Sequence, residues 1–204
     1  MAEGPLSLVF SGLALVASGF TTWWTLVRRG TVHMTQPTVI FFGWDTSTSR
    51  HPALQKVFLR TLLYSTGKRG HIIQSMYVTL RRGESRQNFN IWVYGDQTLV
   101  RGSGILVADS GVVCNHHFLL PSDGTSFEFL TGEFALDVYA AIVGFSKPLH
   151  LHSVNLTVSA EAAELLRDEE CGLYFDWGPD SQRYHPHVER HPSINAGEYA
   201  GGKV

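Results

Sequence analysis

The chain has 204 residues, 44% of them hydrophobic and 17% charged, with a formal net charge of -2. This length suits one domain with an accessory segment, and the apolar content supplies a packed core and excludes a wholly disordered chain. So small a net charge excludes a global pull toward nucleic acid, and no nucleic-acid partner is expected.

The first element is the run LSLVFSGLALVASGFTTWWTLV, residues 6–27, which carries no charged side chain. At about 1.5 Å of helical rise per residue it matches a hydrocarbon core of about 30 Å, so residues 1–27 are expected to form a transmembrane anchor whose partner is the lipid bilayer. Its serines and threonines can bond to backbone carbonyls one turn back. Trp23 and Trp24 fall where an interfacial aromatic belt belongs, followed by Arg28 and Arg29 at the headgroups. A cleavable signal peptide would want a basic start, a shorter apolar stretch and a small-residue cleavage site. The opening MAEGP has an acid and no Lys or Arg. Arg28 and Arg29 outweigh Glu3 in the positive-inside comparison, which predicts a single-pass protein with its C-terminal part in the cytoplasm; an extracytoplasmic domain is the alternative.

A linker over 28–37 ends at Pro37, and a domain of strand-like runs follows over 38–159. Runs rich in Val, Ile, Leu, Phe, Tyr and Thr predict strands at 38–44, 56–65, 71–81, 87–94, 104–107 with 112–119, 126–129, 133–144 and 149–158. Gly, Asp, Ser and Pro turns separate them. Period-two alternation puts Met76, Val78 and Leu80 on one face, as it does Phe89, Ile91 and Val93, and Phe134, Leu136, Val138 and Ala140. With no helices interleaved, this pattern predicts an all-β fold, an antiparallel immunoglobulin-like β-sandwich.

The segment 160–178 is read as a capping helix followed by an aromatic edge segment. SAEAAELLRDEECG has Ser159 as N-cap, strong helix formers and Gly172 at its end. In LYFDW, alternation sets Leu173, Phe175 and Trp177 against Tyr174 and Asp176, a pattern suited to covering a sheet edge. Residues 179–204 are expected to be an irregular tail.

Charge is unevenly distributed. Residues 50–101 carry nine Lys/Arg against two Asp/Glu, whereas residues 160–180 carry one Arg against seven acids. Such a split can dock the acidic segment on the basic half, steer the basic half toward anionic lipid, or leave two solvated faces. Cys114 and Cys171 enclose no tryptophan, and Cys171 follows a helical run, which favours two reduced thiols over an inter-sheet disulfide.

The anchor, together with KVFLRTLLYSTGKRGHIIQSMYVTL, NFNIWVYGDQTLVRGSGILV and GLYFDWGPDSQRY, resembles a family of uncharacterised single-pass bacterial membrane proteins. That resemblance covers most of the chain and implies no activity, cofactor or catalytic residue. The predicted sandwich is also similar in general terms to immunoglobulin-like domains. It departs from them by lacking their Cys…Trp…Cys pattern and by having Phe134 where a tyrosine corner would be sought.

Among possible sites, STGKRG has Leu62 and Arg69 where a phosphate-binding loop needs Gly and Ser/Thr, so it reads as a turn. His150 and His152, two apart on a predicted strand, share a face, as do Cys114 and His116. Those four residues are the candidate metal ligands, with His185 and His187 a third pair in the tail, and chance pairing among ten histidines is the competing explanation. A Cys114–His116 nucleophile and base is disfavoured, because a strand cysteine beside Val112 and Val113 is normally an inert core thiol. Tyr174, Asp176 and Trp177 are the candidate binding residues. The expected function is a membrane-tethered interaction or scaffolding module, not an enzyme and without a cofactor, whose partner beyond the bilayer is another protein. The alternatives are a metal-binding protein or metal-dependent enzyme, and a carbohydrate-binding sandwich using Tyr174, Trp177 and Trp92.

Overall fold

Short strands joined by tight turns pair with their chain neighbours in opposite directions, and side chains then alternate between the two faces of the sheet. The computed structural model follows this logic; it describes residues 4–27, 30–46, 53–94, 99–102, 104–123 and 126–191. In chain order the elements are helix α1 (Gly4–Thr22), a π-helical turn (Trp23–Val27), β1 (Val32–Met34), β2 (Val39–Asp45), β3 (Leu54–Ser65), β4 (His71–Arg82), β5 (Ser85–Tyr94), β6 (Leu99–Arg101), β7 (Ile105–Val107), β8 (Val112–Leu119), β9 (Gly132–Ile142), β10 (Leu149–Val158), α2 (Ala160–Leu165), β11 (Cys171–Gly178) and β12 (Arg183–Arg190).

The protein is mostly antiparallel β-sheet with one N-terminal apolar helix. All twelve strands belong to one sheet, in the order β10-β9-β4-β5-β8-β3-β2-β11-β12, with β1 paired to β3, β6 to β5 and β7 to β4. Hydrogen bonding therefore does not divide the strands into the two separate sheets of a sandwich. The sheet instead curls toward a barrel. Phe42 of β2 stacks on Phe129 at 5.1 Å between ring centroids and meets Phe175 at 5.2 Å and Phe134 of β9 at 6.2 Å. Strands β2 and β9 lie far apart along the ladder, so this contact crosses the interior. The right-handed twist of strands supplies the curl.

Of the inward residues predicted by alternation, Met76, Val78, Leu80, Phe89, Ile91, Phe134, Leu136, Val138 and Ala140 are buried in one core cluster, and Val93 is half-buried outside it. Where the two ends of the sheet meet without a ladder, Val154 and Leu156 of β10 face Phe175, Trp177 and Tyr184 across a cleft of about 350 Å³. The Tyr184 hydroxyl donates to Pro37 O at 2.8 Å and accepts from Gln36 Nε2 at 2.8 Å, tying the last strand to the first connection.

Several details differ from the expectation, among them β6, which lies between the predicted strands at 87–94 and 104–107. Residues 32–34 of the predicted linker form β1. The predicted strand at 126–129 is irregular, yet Phe127 and Phe129 still pack edge to face at 5.1 Å. The predicted capping helix shortens to α2: Ser159 Oγ accepts from Ala162 N at 3.1 Å to start it, and Asp168 Oδ1 accepts from Glu170 N at 3.0 Å in the turn after it. Residues 183–190, expected within an irregular tail, form β12, so β11 is an inner strand and β12 the sheet's end. Pro186 is compatible with this strand, because proline is tolerated on an edge strand, where one side needs no donor.

Turns 66–70, 108–111 and 143–148 lie at one end of the barrel, and α2, turn 83–84 and segment 120–131 lie at the other, as the antiparallel registers require. The first end receives the N-terminal helix. Thr31 N donates to Thr66 Oγ1 at 2.8 Å, Thr66 N donates to Thr31 O at 2.9 Å, and a methyl group on Gly30 would collide with Gly67 N. Only glycine permits so close a backbone approach.

Phe42→Ala should lower the unfolding free energy of the detergent-solubilised chain by about 3–5 kcal/mol, because it removes the ring at the centre of this core. Val113→Ala, at an exposed site, should change it by less than about 0.5 kcal/mol. Denaturant titration followed by circular dichroism measures both.

Candidate functional site

The four predicted metal ligands do not converge. Cys114 and His116 lie on β8 and pair with Thr61 and Leu59 of β3; His116 Nε2 meets Thr61 Oγ1 at 3.1 Å inside the barrel. His150 and His152 lie on β10, with β9, β4 and β5 between it and β8 in the ladder. A bulge separates the two histidines, so that His150 opposes Tyr139 while His152 opposes the core residue Val138. The extra residue reverses the alternation, and the shared face expected for the pair is lost. His150 Nε2 lies 3.2 Å from Asp137 Oδ1, and Arg81 Nη2 holds the other oxygen of that carboxylate at 2.8 Å. Burial works against the Asp137 carboxylate's charge, but hydrogen bonds from Ser153, Arg81 and His150 hold its pKa below the usual value. Among the described residues no three His, Cys, Asp or Glu side chains are grouped to hold a metal ion.

Burial also decides the chemistry of the thiols. Cys114 and Cys171 are unbonded, and burial raises both pKa values, with Asp168 adding to the effect at Cys171. A thiol made harder to ionise is a poor nucleophile and a poor ligand.

Tyr174, Asp176 and Trp177 divide as alternation predicted. Tyr174 is buried, edge-on to Phe41 at 5.0 Å and stacked on His187 at 5.3 Å. Asp176 Oδ2 lies 3.3 Å from His187 Nδ1 on the same outer face. Trp177 faces the other way and meets Tyr184 edge-on at 5.1 Å. Tyr174 and Trp177 therefore do not make one aromatic platform, and Trp92 is itself buried beside Leu119 and Leu54. At the end of the N-terminal apolar segment, Trp23 and Trp24 are half exposed and pack with Phe20, with ring centroids 5.8–6.5 Å apart. Arg28 and Arg29 lie outside the described residues.

Sequence reasoning missed a buried polar group on the outer face of β2, β3 and β8. Lys56 Nζ lies 3.2 Å from Asp45 Oδ1 with both side chains fully buried, and His117 sits beside Phe58 at 5.0 Å. Burial lowers the Lys56 pKa against the pull of Asp45. The signal was present: outward positions Phe41, Phe58, Trp92 and Tyr174 are aromatic where a solvated face would be polar.

A concavity lies at the α2 end. A cleft of about 630 Å³ runs between α2 and segment 126–131, with Trp44, Phe127, Leu130 and Ala163 along it and Glu164 and Arg167 at its edge. Trp44 Nε1 donates to Leu166 O at 2.7 Å and fixes the cleft floor to the helix end. This cleft contains none of the residues singled out in the sequence, because apolar residues from separate segments form it. No family model matches the chain, and no curated protein matches it.

Burial lowers the His116 pKa to about 4; it lowers that of His117 to about 3, with Lys56 and His116 adding to the effect. The unfolded chain then takes up protons below its ordinary value of 6.5 while the folded chain does not, so stability is lost as pH falls through 6.5 toward these folded values. Each histidine should contribute a slope that approaches about 1.4 kcal/mol per pH unit at about pH 5 and falls off toward pH 6.5 and toward its folded value. His116→Asn should remove one such share, as unfolding titrations across that range would show.

Proposed function

We propose that the protein is a membrane-tethered interaction module: α1 anchors it in the bilayer, and the β-domain presents the α2 cleft to a segment of another protein. The observation that carries this reading is the short connection between two differently built parts. Helix α1 and the residues after it are long and apolar enough to cross a membrane, and the helix's described side chains are exposed. Val27 ends that stretch, and Gly30 is already packed on the domain. An exposed apolar helix has no favourable aqueous state, so the bilayer is its natural solvent.

The α2 cleft opens at the end of the barrel opposite Gly30, facing away from the tether. Its mixed lining, an apolar floor with charged edges, is the composition of a peptide-binding groove. The resemblance to single-pass bacterial membrane proteins enters this proposal as an expectation. So does the immunoglobulin-like arrangement: β4, β9 and β10 oppose β2, β3 and β11 across Phe42, Phe134 and Phe175 as two sandwich layers would. The cytoplasmic side follows from Arg28 and Arg29 by the positive-inside rule.

Two experiments test the reading. A photo-crosslinking residue at the partly exposed Leu130 should give a discrete protein adduct in cells, and Ala163→Arg should abolish it without changing membrane fractionation. Absence of any adduct at Leu130 would refute the cleft assignment. For topology, Cys171 is too buried to label, so a reporter belongs at exposed Glu169. Glu169→Cys, in a chain with Cys114→Ala and Cys171→Ala, should react with an impermeant maleimide only after the membrane is opened. Labelling in intact cells would place the domain outside.

A further inference from the structure

The end of the barrel that receives the anchor carries an unusual surface. Ile72, Leu106, Val143 and Phe145 are 50%, 65%, 57% and 43% exposed. They are contiguous: Ile72 pairs with Leu106 across β4 and β7, Val143 N donates to Ile72 O at 2.9 Å, and all four line one shallow depression with Arg69 and Gly30. Scattered exposed apolar residues are ordinary on a protein surface, but a contiguous group at one end marks a contact. Cations surround it, with exposed Lys68 and Arg69 in the 66–70 turn and Lys147 in the 143–148 turn; Asp109 is the acid in the neighbouring 108–111 turn.

Covalent geometry says what lies against this surface. Three peptide steps join Val27 to Gly30, which limits their Cα separation to about 11 Å. If residues 6–27 span a bilayer, the Gly30–Gly67 contact, and the apolar depression that includes both glycines, must lie at the membrane surface. The opposite end carries the acids Glu161, Glu164, Asp168, Glu169 and Glu170, which an anionic surface repels.

We infer that this end of the β-domain is itself a lipid-binding surface: Ile72, Leu106, Val143 and Phe145 enter the interfacial layer of the bilayer, and Lys68, Arg69 and Lys147 contact anionic headgroups. The inference rests on the tethered reading above and deepens it. It makes the domain a body seated on the membrane with its α2 cleft outward, where a tether alone would bring this end near the bilayer without inserting it. Apolar insertion combined with basic contacts is how peripheral surfaces bind anionic bilayers.

The full chain bearing Cys114→Ala and Cys171→Ala is given one reporter cysteine, Leu106→Cys or the distal control Glu169→Cys, and labelled with an environment-sensitive fluorophore. It is reconstituted into phosphatidylcholine vesicles containing phosphatidylglycerol and a lipid with a quencher at headgroup depth. The reporter at 106 should be quenched and the one at 169 should not, and adding Lys68→Glu with Arg69→Glu should weaken the quenching about threefold while the protein still floats with the vesicles. In the unsubstituted chain, acetylation of Lys68 and Lys147, read by mass spectrometry, should be slower in these vesicles than in pure phosphatidylcholine. A floating protein whose 106 reporter is unquenched, or equally quenched after charge reversal, overturns the inference and leaves the tether intact. A protein that does not float overturns both. Shielding at 106 in detergent, with crosslinking between two copies there, assigns the surface to a second copy of this chain and also overturns it.

Discussion

The clamp between Thr31 and Thr66 is the contact on which the arrangement of this molecule depends. Its two short hydrogen bonds and the backbone approach of Gly30 to Gly67 fasten the chain to the 66–70 turn within three residues of the apolar run. A long flexible linker would leave the domain's orientation undetermined. Here Gly30 and Thr31 are fixed at one end of the barrel, and the antiparallel ladder then assigns every other turn to one end or the other.

The barrel is held by an aromatic interior and by a buried ion pair on its outer face, and these do different things. Phe42, Phe129, Phe134 and Phe175 bring strands distant in the ladder together, and their burial supplies stability. The Lys56–Asp45 pair is a poor source of stability, because taking both charges out of water costs as much as their attraction returns. What it can enforce is register. Slipping β2 or β3 by one residue would move a charge into the core, so the pair penalises the wrong alignment far more than it rewards the right one.

Much of the fold was legible because alternation reports on local chemistry. Met76, Val78 and Leu80 of β4, Phe89 and Ile91 of β5 and the opposed faces of LYFDW needed only period-two patterning. What escaped is non-local. Nothing in RYHPHVER shows that β11 offers it an open edge, and proline argues against a strand until the strand is known to be terminal. The His150–His152 face failed for a related reason: one bulge residue reverses the alternation, and a bulge is fixed by the partner strand. Length and propensity overstated α2, because Ala, Glu and Leu favour helix while Asp168 offers its own carboxylate to the next turn. The α2 cleft was invisible for the same reason as β12, since Trp44, Phe127 and Ala163 become neighbours only in the folded chain.

Charge shows how a feature of the sequence gains meaning from topology. The acidic run near the C-terminus and the basic stretch in the middle can dock on one another, turn toward anionic lipid or form two solvated faces. Yet Lys56 and Arg81 of the basic stretch pair with Asp45 and Asp137, which lie outside the acidic run. The chain direction of β10 carries Glu161 through Glu170 to the end farthest from Gly30, while the exposed Lys68 and Arg69 sit beside it. The resulting asymmetry runs along the barrel axis. At an anionic surface that asymmetry exerts a torque on the domain in the same sense as the covalent junction, so electrostatics and chain connectivity favour one orientation. On the proposed seating, two constraints of independent origin agree in direction, specify a pose more sharply than either does, and would leave the α2 cleft as the face turned toward the aqueous side.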